Sequence, residues 1–354
     1  MKEKILFVLP SLTLTNGVSK FLYNYLSNID TSLLDISILT SNLRVSQMYI
    51  DFYKEKNISL FFTDPLSEIG FIKWYKQIKA FFNKNHDFDV VYSNVANQSY
   101  FIFKQAKKFG IKKYALHAHA TAASDNKLKG LINNILISKV NKMLTYRFSC
   151  GDEAGKFVFK NKNFRVINNA IDYSLFNYNS DARKELKEKY KIEEKKVIGF
   201  VGRFVAQKNV FFFIELAKKL SNEYVIMMIG EGKQKKDFVE KTSIEGVDNK
   251  FIFVSETSEV NKYYSCFDYF LLPSLFEGLP VVGIEAQVNG LFCIFSDTIS
   301  KEVKISSGAI FLKNDDINLW VENIGDYQRN SFIINQDYNI KNQALIFLNI
   351  LLNL

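Results

Sequence analysis

Cysteine and histidine are scarce in this chain, with three of each among 354 residues. Cys150, Cys266 and Cys293 stand far apart, without the paired spacing of a zinc site or a disulfide framework, which points to a reducing, cytoplasmic compartment. No run approaches the roughly 20 apolar residues that a membrane-spanning helix needs. The apolar tail 344–354 comes nearest, and it is short and interrupted by Asn. No G-x-G-x-x-G follows the first apolar run, which disfavours an NAD-linked oxidoreductase. An Arg-rich helix and an RNA-binding aromatic motif are both missing, which disfavours nucleic acid as a partner. Solenoid-length repeats and low-complexity tracts are also absent.

What is present is a chain that is 47% hydrophobic and long enough for two cores. Residues 1–10 have too short an apolar run for a signal peptide and no small-residue cleavage site, so they read as a first β-strand. Strand and helix patterns then alternate to the end, which implies parallel sheets covered on both faces. Strand candidates in the first half cover 5–9, 36–39, 90–92, 114–116, 146–149 and 165–167; those in the second cover 197–202, 224–229, 250–254, 269–272 and 292–295. Helical patterns in the first half include 18–26, 72–82 and 127–142. The highly charged stretch 181–196 reads as a solvated helix or linker ahead of a new buried strand, so a domain boundary is expected near residue 176. The net charge is +9, with clusters at Lys104, Lys107 and Lys108, at Lys112 and Lys113, and at Lys139 and Lys142. Such residues suit either an anionic lipid surface or plain solvent.

The most informative stretch is Ser274-Leu-Phe-Glu277-Gly-Leu-Pro-Val-Val-Gly-Ile-Glu285-Ala, which follows the apolar run Tyr269-Phe-Leu-Leu-Pro273. It reads as a strand, a loop and then a helix that has Pro280 in its first turn and Asn289-Gly290 as its stop. Glu277 falls on the loop at the strand's carboxyl end, and Glu285 about a turn and a half into the helix. Amides around Gly278, Leu279 and Val281 would point from the helix mouth toward an anion. Carboxylates accept hydrogen bonds and donate none, so two of them suit a ligand rich in hydroxyls. Phosphate together with polyol points to a nucleotide sugar.

The spacing of Glu277 and Glu285 is the E-x7-E signature of retaining glycosyltransferases, and in this setting the chain resembles glycosyltransferase family 4. The resemblance covers essentially the whole chain and is densest between residues 197 and 297. It implies the GT-B fold: two doubly wound, Rossmann-like α/β domains facing across a cleft. The expected division is 1–175 on the acceptor side and 176–335 for the nucleotide sugar, with 336–354 returning to pack on the first. In the family the first glutamate touches the donor sugar and the second holds the ribose hydroxyls.

Gly199-Phe-Val-Gly202-Arg203-Phe-Val-Ala-Gln-Lys208 resembles the family's V-G-R-x-x-x-x-K segment. Arg203 offers a planar fork for phosphate oxygens and Lys208 a mobile point charge. Either cation would stabilise charge that builds on the diphosphate as the sugar leaves. Asn16-Gly17 resembles the family's G-G loop, where backbone amides approach a phosphate; Asn16 suits either a left-handed turn there or a plain helix cap. His117 and His119 lie on one face of a strand. No Cys, Asp or Glu nearby completes a metal set, and either histidine matches the one that the family places beside the donor sugar. His119 is favoured because it is nearer the loop. Asp87-Phe-Asp89 has the D-x-D pattern of metal-dependent transferases but precedes a strand, whereas doubly wound sheets bind ligands at strand carboxyl ends. Three positions depart from the family pattern: Asn168, Ala170 and Phe292.

The catalytic set expected from the resemblance is therefore His119, Arg203, Lys208 and Glu277. The donor-binding set is Gly17, Arg203, Lys208, Gly278, Leu279 and Glu285, with no metal or other cofactor. The expected reaction is transfer of a hexose or N-acetylhexosamine from a UDP-sugar, with retention, to a hydroxyl of a lipid-linked saccharide in bacterial capsule or exopolysaccharide synthesis. The enzyme would be cytoplasmic, or peripheral on an anionic membrane surface. The alternative is a non-catalytic sugar-nucleotide-binding partner of another transferase.

Overall fold

The structure, a computed structural model, describes residues 2–14, 16–43, 45–119, 127–325, 327–329 and 332–354, the side chains of 127–129 excepted. The chain divides into two compact units, Met1–Ala170 with Asp337–Leu354, and Ile171–Gln336. The break falls slightly ahead of residue 175. Asn168 and Ala170 are held by the first unit: Tyr25 donates to the Asn168 carbonyl at 2.7 Å and Asn24 to that of Ala170 at 3.0 Å.

In the first unit, strands β1 (Lys4–Val8), β2 (Asp35–Ser41), β3 (Ser59–Thr63), β4 (Val90–Ser93), β5 (Lys113–Ala118), β6 (Tyr146–Ser149) and β7 (Arg165–Val166) alternate with helices. The helices are α1 (Gly17–Ser27), α2 (Gln47–Glu55), α3 (Leu66–Lys84), α4 (Ser99–Lys108), α5 (Lys127–Asn141) and α6 (Asp152–Phe159). The described strands form one parallel sheet in the order β3-β2-β1-β4-β5-β6-β7. Its strands are short apolar runs because both faces are covered. Ile5, Phe7 and Ile38 face one core, while Leu6, Val8 and Leu39 face the other with Trp74 and Ile78.

The second unit opens with α7 (Ser180–Tyr190) and continues through β8 (Lys196–Val201), α8 (Phe212–Lys219), β9 (Tyr224–Ile229), α9 (Lys235–Ile244), β10 (Phe251–Val254) and α10 (Val260–Cys266). It ends with β11 (Tyr269–Leu272), α11 (Val281–Val288), β12 (Phe292–Ser296), β13 (Ala309–Leu312) and α12 (Ile317–Glu322). Its parallel sheet runs β10-β9-β8-β11-β12-β13. The chain then returns to the first unit as α13 (Ile340–Leu352). There Phe347 packs on Tyr25 with ring centroids 4.7 Å apart, and Tyr146 donates to the Leu354 carbonyl at 2.5 Å.

Two edge strands, β3 and β13, escape the sequence reading because an edge position leaves much of each half exposed and dilutes the apolar pattern. The charged stretch after residue 180 forms α7, whose inner face is not merely solvated. Ala182 and Leu186 are buried, and Arg183 bonds Asp268 at 2.6 Å and the carbonyls of Ser265, Cys266 and Phe267. Family departures find local partners as well. The Asn168 amide donates to the Asp337 carbonyl at 3.0 Å, and Phe292 stacks on Tyr327 at 3.6 Å.

Candidate active site

In each sheet the strand order reverses between two neighbours, β1 and β4 in the first unit and β8 and β11 in the second. Ligands of doubly wound folds bind outside the carboxyl ends of the strands at such a switch point. In the second unit, the loops leaving β8 and β11 carry the two strongest sequence motifs and bond directly to each other. The Leu275 amide donates to the Gln207 carbonyl at 2.8 Å, and the Gln207 side chain donates to the Phe276 carbonyl at 2.9 Å.

Lys208 sits in a short 3-10 turn, Ala206–Lys208, with 9% of its surface exposed. Its Nζ lies 2.5 Å from Glu277 Oε1, and the buried Ser274 hydroxyl donates to the same oxygen at 2.6 Å. Lys208 is therefore a fixed cation and not the mobile one expected from its side-chain type. An ammonium carries three donors, so two remain to address a ligand. Among the described residues Glu277 Oε2 takes no hydrogen bond, so one carboxylate oxygen is pinned and the other is open. Ser274 was visible in the quoted motif, but its hold on Glu277 was not.

Arg203 follows β8, is exposed, and makes no ion pair among the described residues. Its loop is pressed against the Gly230–Gly232 turn. A Cβ at Gly230 (φ +141°) would stand 2.1 Å from the Gly202 carbonyl oxygen, and one at Gly232 would stand 2.4 Å from that of Phe204. These two glycines thus permit two loop backbones to touch.

Pro280 is the N-cap of α11, one place earlier than the first-turn position anticipated. The amides of Gly278, Leu279 and Val281 have no partner among the described residues, consistent with the orphan donors of a helix start. Glu285, in the middle of α11, is 1% exposed. Tyr264 donates to its Oε2 at 2.8 Å, and burial, followed by the glutamate charge, pushes the Tyr264 hydroxyl well above its ordinary pKa. Tyr264 lies on α10 with no motif around it, and sequence reasoning missed it.

In the first unit, His117 and His119 do share a face: their rings stack at 4.2 Å with Phe21 edge-on to both. His117 is buried, and its Nδ1 lies 3.0 Å from the Tyr92 hydroxyl. Burial, then His119, drive its pKa well down against a raising contribution from the Ser149 backbone. His119, just beyond β5, pairs through Nε2 with Asn94 Oδ1 at 2.9 Å. Burial pushes it down to about 3, so the imidazole is neutral at pH 7.

Asn16 resolves its two readings as a helix cap. It is extended (φ −89°, ψ 114°), and its side chain accepts from the amides of Val18 at 2.9 Å and Ser19 at 3.1 Å. Gly17 opens α1, with nothing within 4 Å of where a Cβ would stand. Asp89 and Asp87 bond the amide and the side chain of Lys4 at the amino edge of the sheet, a structural use of the D-x-D pattern.

Residues 182–343 match the family of glycosyl transferases group 1. The chain is a GT-B glycosyltransferase. Over 343 residues it is 26% identical to a putative glycosyltransferase, EpsF, of Bacillus subtilis, covering 91% of this chain and 87% of that protein. It is 24% identical over 263 residues to the UDP-Gal:alpha-D-GlcNAc-diphosphoundecaprenol alpha-1,3-galactosyltransferase of Escherichia coli, covering 69% and 68%. Among solved structures, Anabaena HepE (Alr3699) in complex with UDP and glucose superposes with a TM-score of 0.79 at 14% identity, over 99% of this chain and 100% of that one. The fold of this glycosyltransferase thus accounts for the reversed strand orders. Among its described residues, no helix is long and apolar enough to cross a membrane.

Proposed function

We propose that this glycosyltransferase moves a hexose or N-acetylhexosamine, with retention, from a UDP-sugar to a hydroxyl of a lipid-linked saccharide in bacterial surface polysaccharide synthesis. The observation that carries the reading is the pinned pair Lys208–Glu277 beside the unpaired Arg203 and the α11 mouth, at one switch point. Glu277 Oε2 accepts from the donor sugar, Glu285 from the ribose, and Arg203 and Lys208 take the diphosphate with the amides of Gly278 and Leu279. On the first unit, neutral His119 offers a hydrogen bond to a sugar or phosphate oxygen. The bond from the anomeric carbon to the phosphate oxygen breaks as the acceptor oxygen bonds on the same face, and the departing phosphate oxygen takes the acceptor's proton. Cations stabilise this step because the diphosphate charge grows in it. No metal enters the scheme. UDP in the HepE complexes and the lipid diphosphate in the name of the E. coli relative support the donor and acceptor classes. Thermal shift with UDP, GDP and ADP, followed by NMR of the product formed from UDP-hexoses, tests the reading. Stabilisation by GDP alone, or an inverted product, would overturn it.

Reversible attachment to anionic lipid belongs to the same proposal, with a changed set of lysines. Lys113 is paired with Glu3 at 2.9 Å and is withdrawn from the surface set. Lys107, Lys108 and Lys112 are exposed, at the end of α4 and just before β5. A crossover helix between parallel strands ends at their amino edge, so these lysines lie away from the carboxyl ends. Each is worth about 1 kcal/mol near an anionic surface. Flotation with anionic liposomes should weaken in high salt and on neutralising these three; indifference to lipid charge would remove the attachment.

A further inference from the structure

Unit one contains a cavity of about 340 Å³ at the carboxyl ends of β1, β2 and β3, under α3 and α4. None of the residues assigned above lines it. Its walls combine hydrocarbon, chiefly Leu39, Leu66, Trp74, Ile78 and Ile102, with the hydroxyl residues Thr40, Ser41, Thr63 and Ser67. The only ionisable group among the lining residues is Asp64, and both its oxygens are occupied: Asn42 donates to Oδ1 at 2.8 Å and Gln77 to Oδ2 at 2.7 Å. With no cation in the wall and a carboxylate beside it, the cavity does not suit a phosphate or a nucleotide. Gln98 also lines it, and its side-chain amide has no partner among the described residues. The combination suits an uncharged ligand that is largely hydrocarbon and has a polar end.

Cavity volume sets the length. An apolar cavity of about 150 Å³ accommodates benzene, so this one suits roughly a dozen carbon atoms. We propose that it binds a stretch of the lipid acceptor's hydrocarbon chain, with the head group outside the cavity. This rests on the acceptor being lipid-linked, as proposed above. It adds a second recognition element, separate from the sugar, on the same end of the sheet where doubly wound folds bind ligands.

Geraniol, a ten-carbon isoprenoid alcohol, is the probe. The chain has two tryptophans, and Trp74 lies in the cavity wall while Trp320 is buried in the second unit. Geraniol should change Trp74 emission saturably in the intact chain, and Leu66→Phe, which fills the cavity, should weaken that binding about tenfold. Leu66→Phe should also raise the KM for a polyprenyl-linked saccharide about tenfold, with the KM for the UDP-sugar and its hydrolysis rate unchanged. Should Leu66→Phe misfold, Leu39→Ala enlarges the cavity instead and should shift preference from geraniol to farnesol. No saturable change in Trp74 emission, or equal binding in these variants, would overturn the cavity assignment. Absence of transfer from any UDP-sugar while geraniol still binds would instead overturn the proposed reaction and leave the cavity standing.

Discussion

Lys208→Met and Glu277→Gln together form a double-mutant cycle on the ion pair in the second unit. The partners are 2.5 Å apart, and each side chain is 11% exposed. Exposed pairs contribute about 0.2–1 kcal/mol, whereas breaking a fully buried one costs about 3–5 kcal/mol. With about a tenth of each side chain in water, Lys208→Met, which leaves a carboxylate bonded only by Ser274, should cost about 3 kcal/mol. Glu277→Gln keeps an acceptor for both Ser274 and Lys208 and should cost about 2 kcal/mol. The double variant holds no buried charge and should lose about 3 kcal/mol, giving a coupling of about 2 kcal/mol. Because two units can unfold separately, urea denaturation is best followed through Trp320, buried in the second unit, in a Trp74→Phe background. All three variants should lose sugar transfer, so stability partly recovers in the double variant while turnover does not. A double variant that loses the full sum, about 5 kcal/mol, would show that the two residues do not act as a pair and refute the reasoning.

Glu285→Ala should chiefly weaken donor affinity, by about 1.5–3 kcal/mol, and Arg203→Ala chiefly lower kcat, because ribose contacts are equal in both states and diphosphate charge is not; equal effects of both on affinity and turnover count against the assignments. Both strand-end histidines have folded pKa values below the ordinary 6.5, so the unfolded chain binds more protons between that value and the depressed one. Their contribution is complete above pH 6.5 and lost as pH falls toward about 3, and His119→Gln should flatten that acid slope in urea titrations at successive pH; an unchanged slope would mean that the His119 pKa is not depressed. Asn16→Ala removes the bonds to the Val18 and Ser19 amides and should cost about 1 kcal/mol, with Asn16→Gly losing less; equal melting of Asn16→Ala and the parent would contradict the cap.

Strands with unbroken apolar runs, such as β9 and β11, were legible because a doubly covered sheet demands such runs. Positions of Glu277 and Glu285 followed from helix and loop signals around Pro280 and Gly290. Their partners did not. Tyr264 meets Glu285 across 21 residues, and Lys208 meets Glu277 across 69. Such contacts depend on which strands become neighbours, a property that local periodicity does not carry. Lys113 likewise looked like part of a surface cluster until Glu3, 110 residues away in sequence, paired with it.

Helix α13 gives the order of synthesis a physical meaning. Residues 171–336 are an uninterrupted insertion within the first unit, and they can complete their own core once they leave the ribosome. The first unit has to wait. Phe347, Ile350, Leu351 and Leu354 belong to the same buried cluster as Phe21, Tyr25 and Ile38, so the part of that core that α13 covers stays open until residues 347–354 emerge. At about 5–20 residues per second, the 184 residues that follow Ala170 take on the order of 10–40 s to make. For that interval the oldest part of the chain carries an open apolar seam around Tyr25, the part of the nascent protein where a chaperone has most to cover.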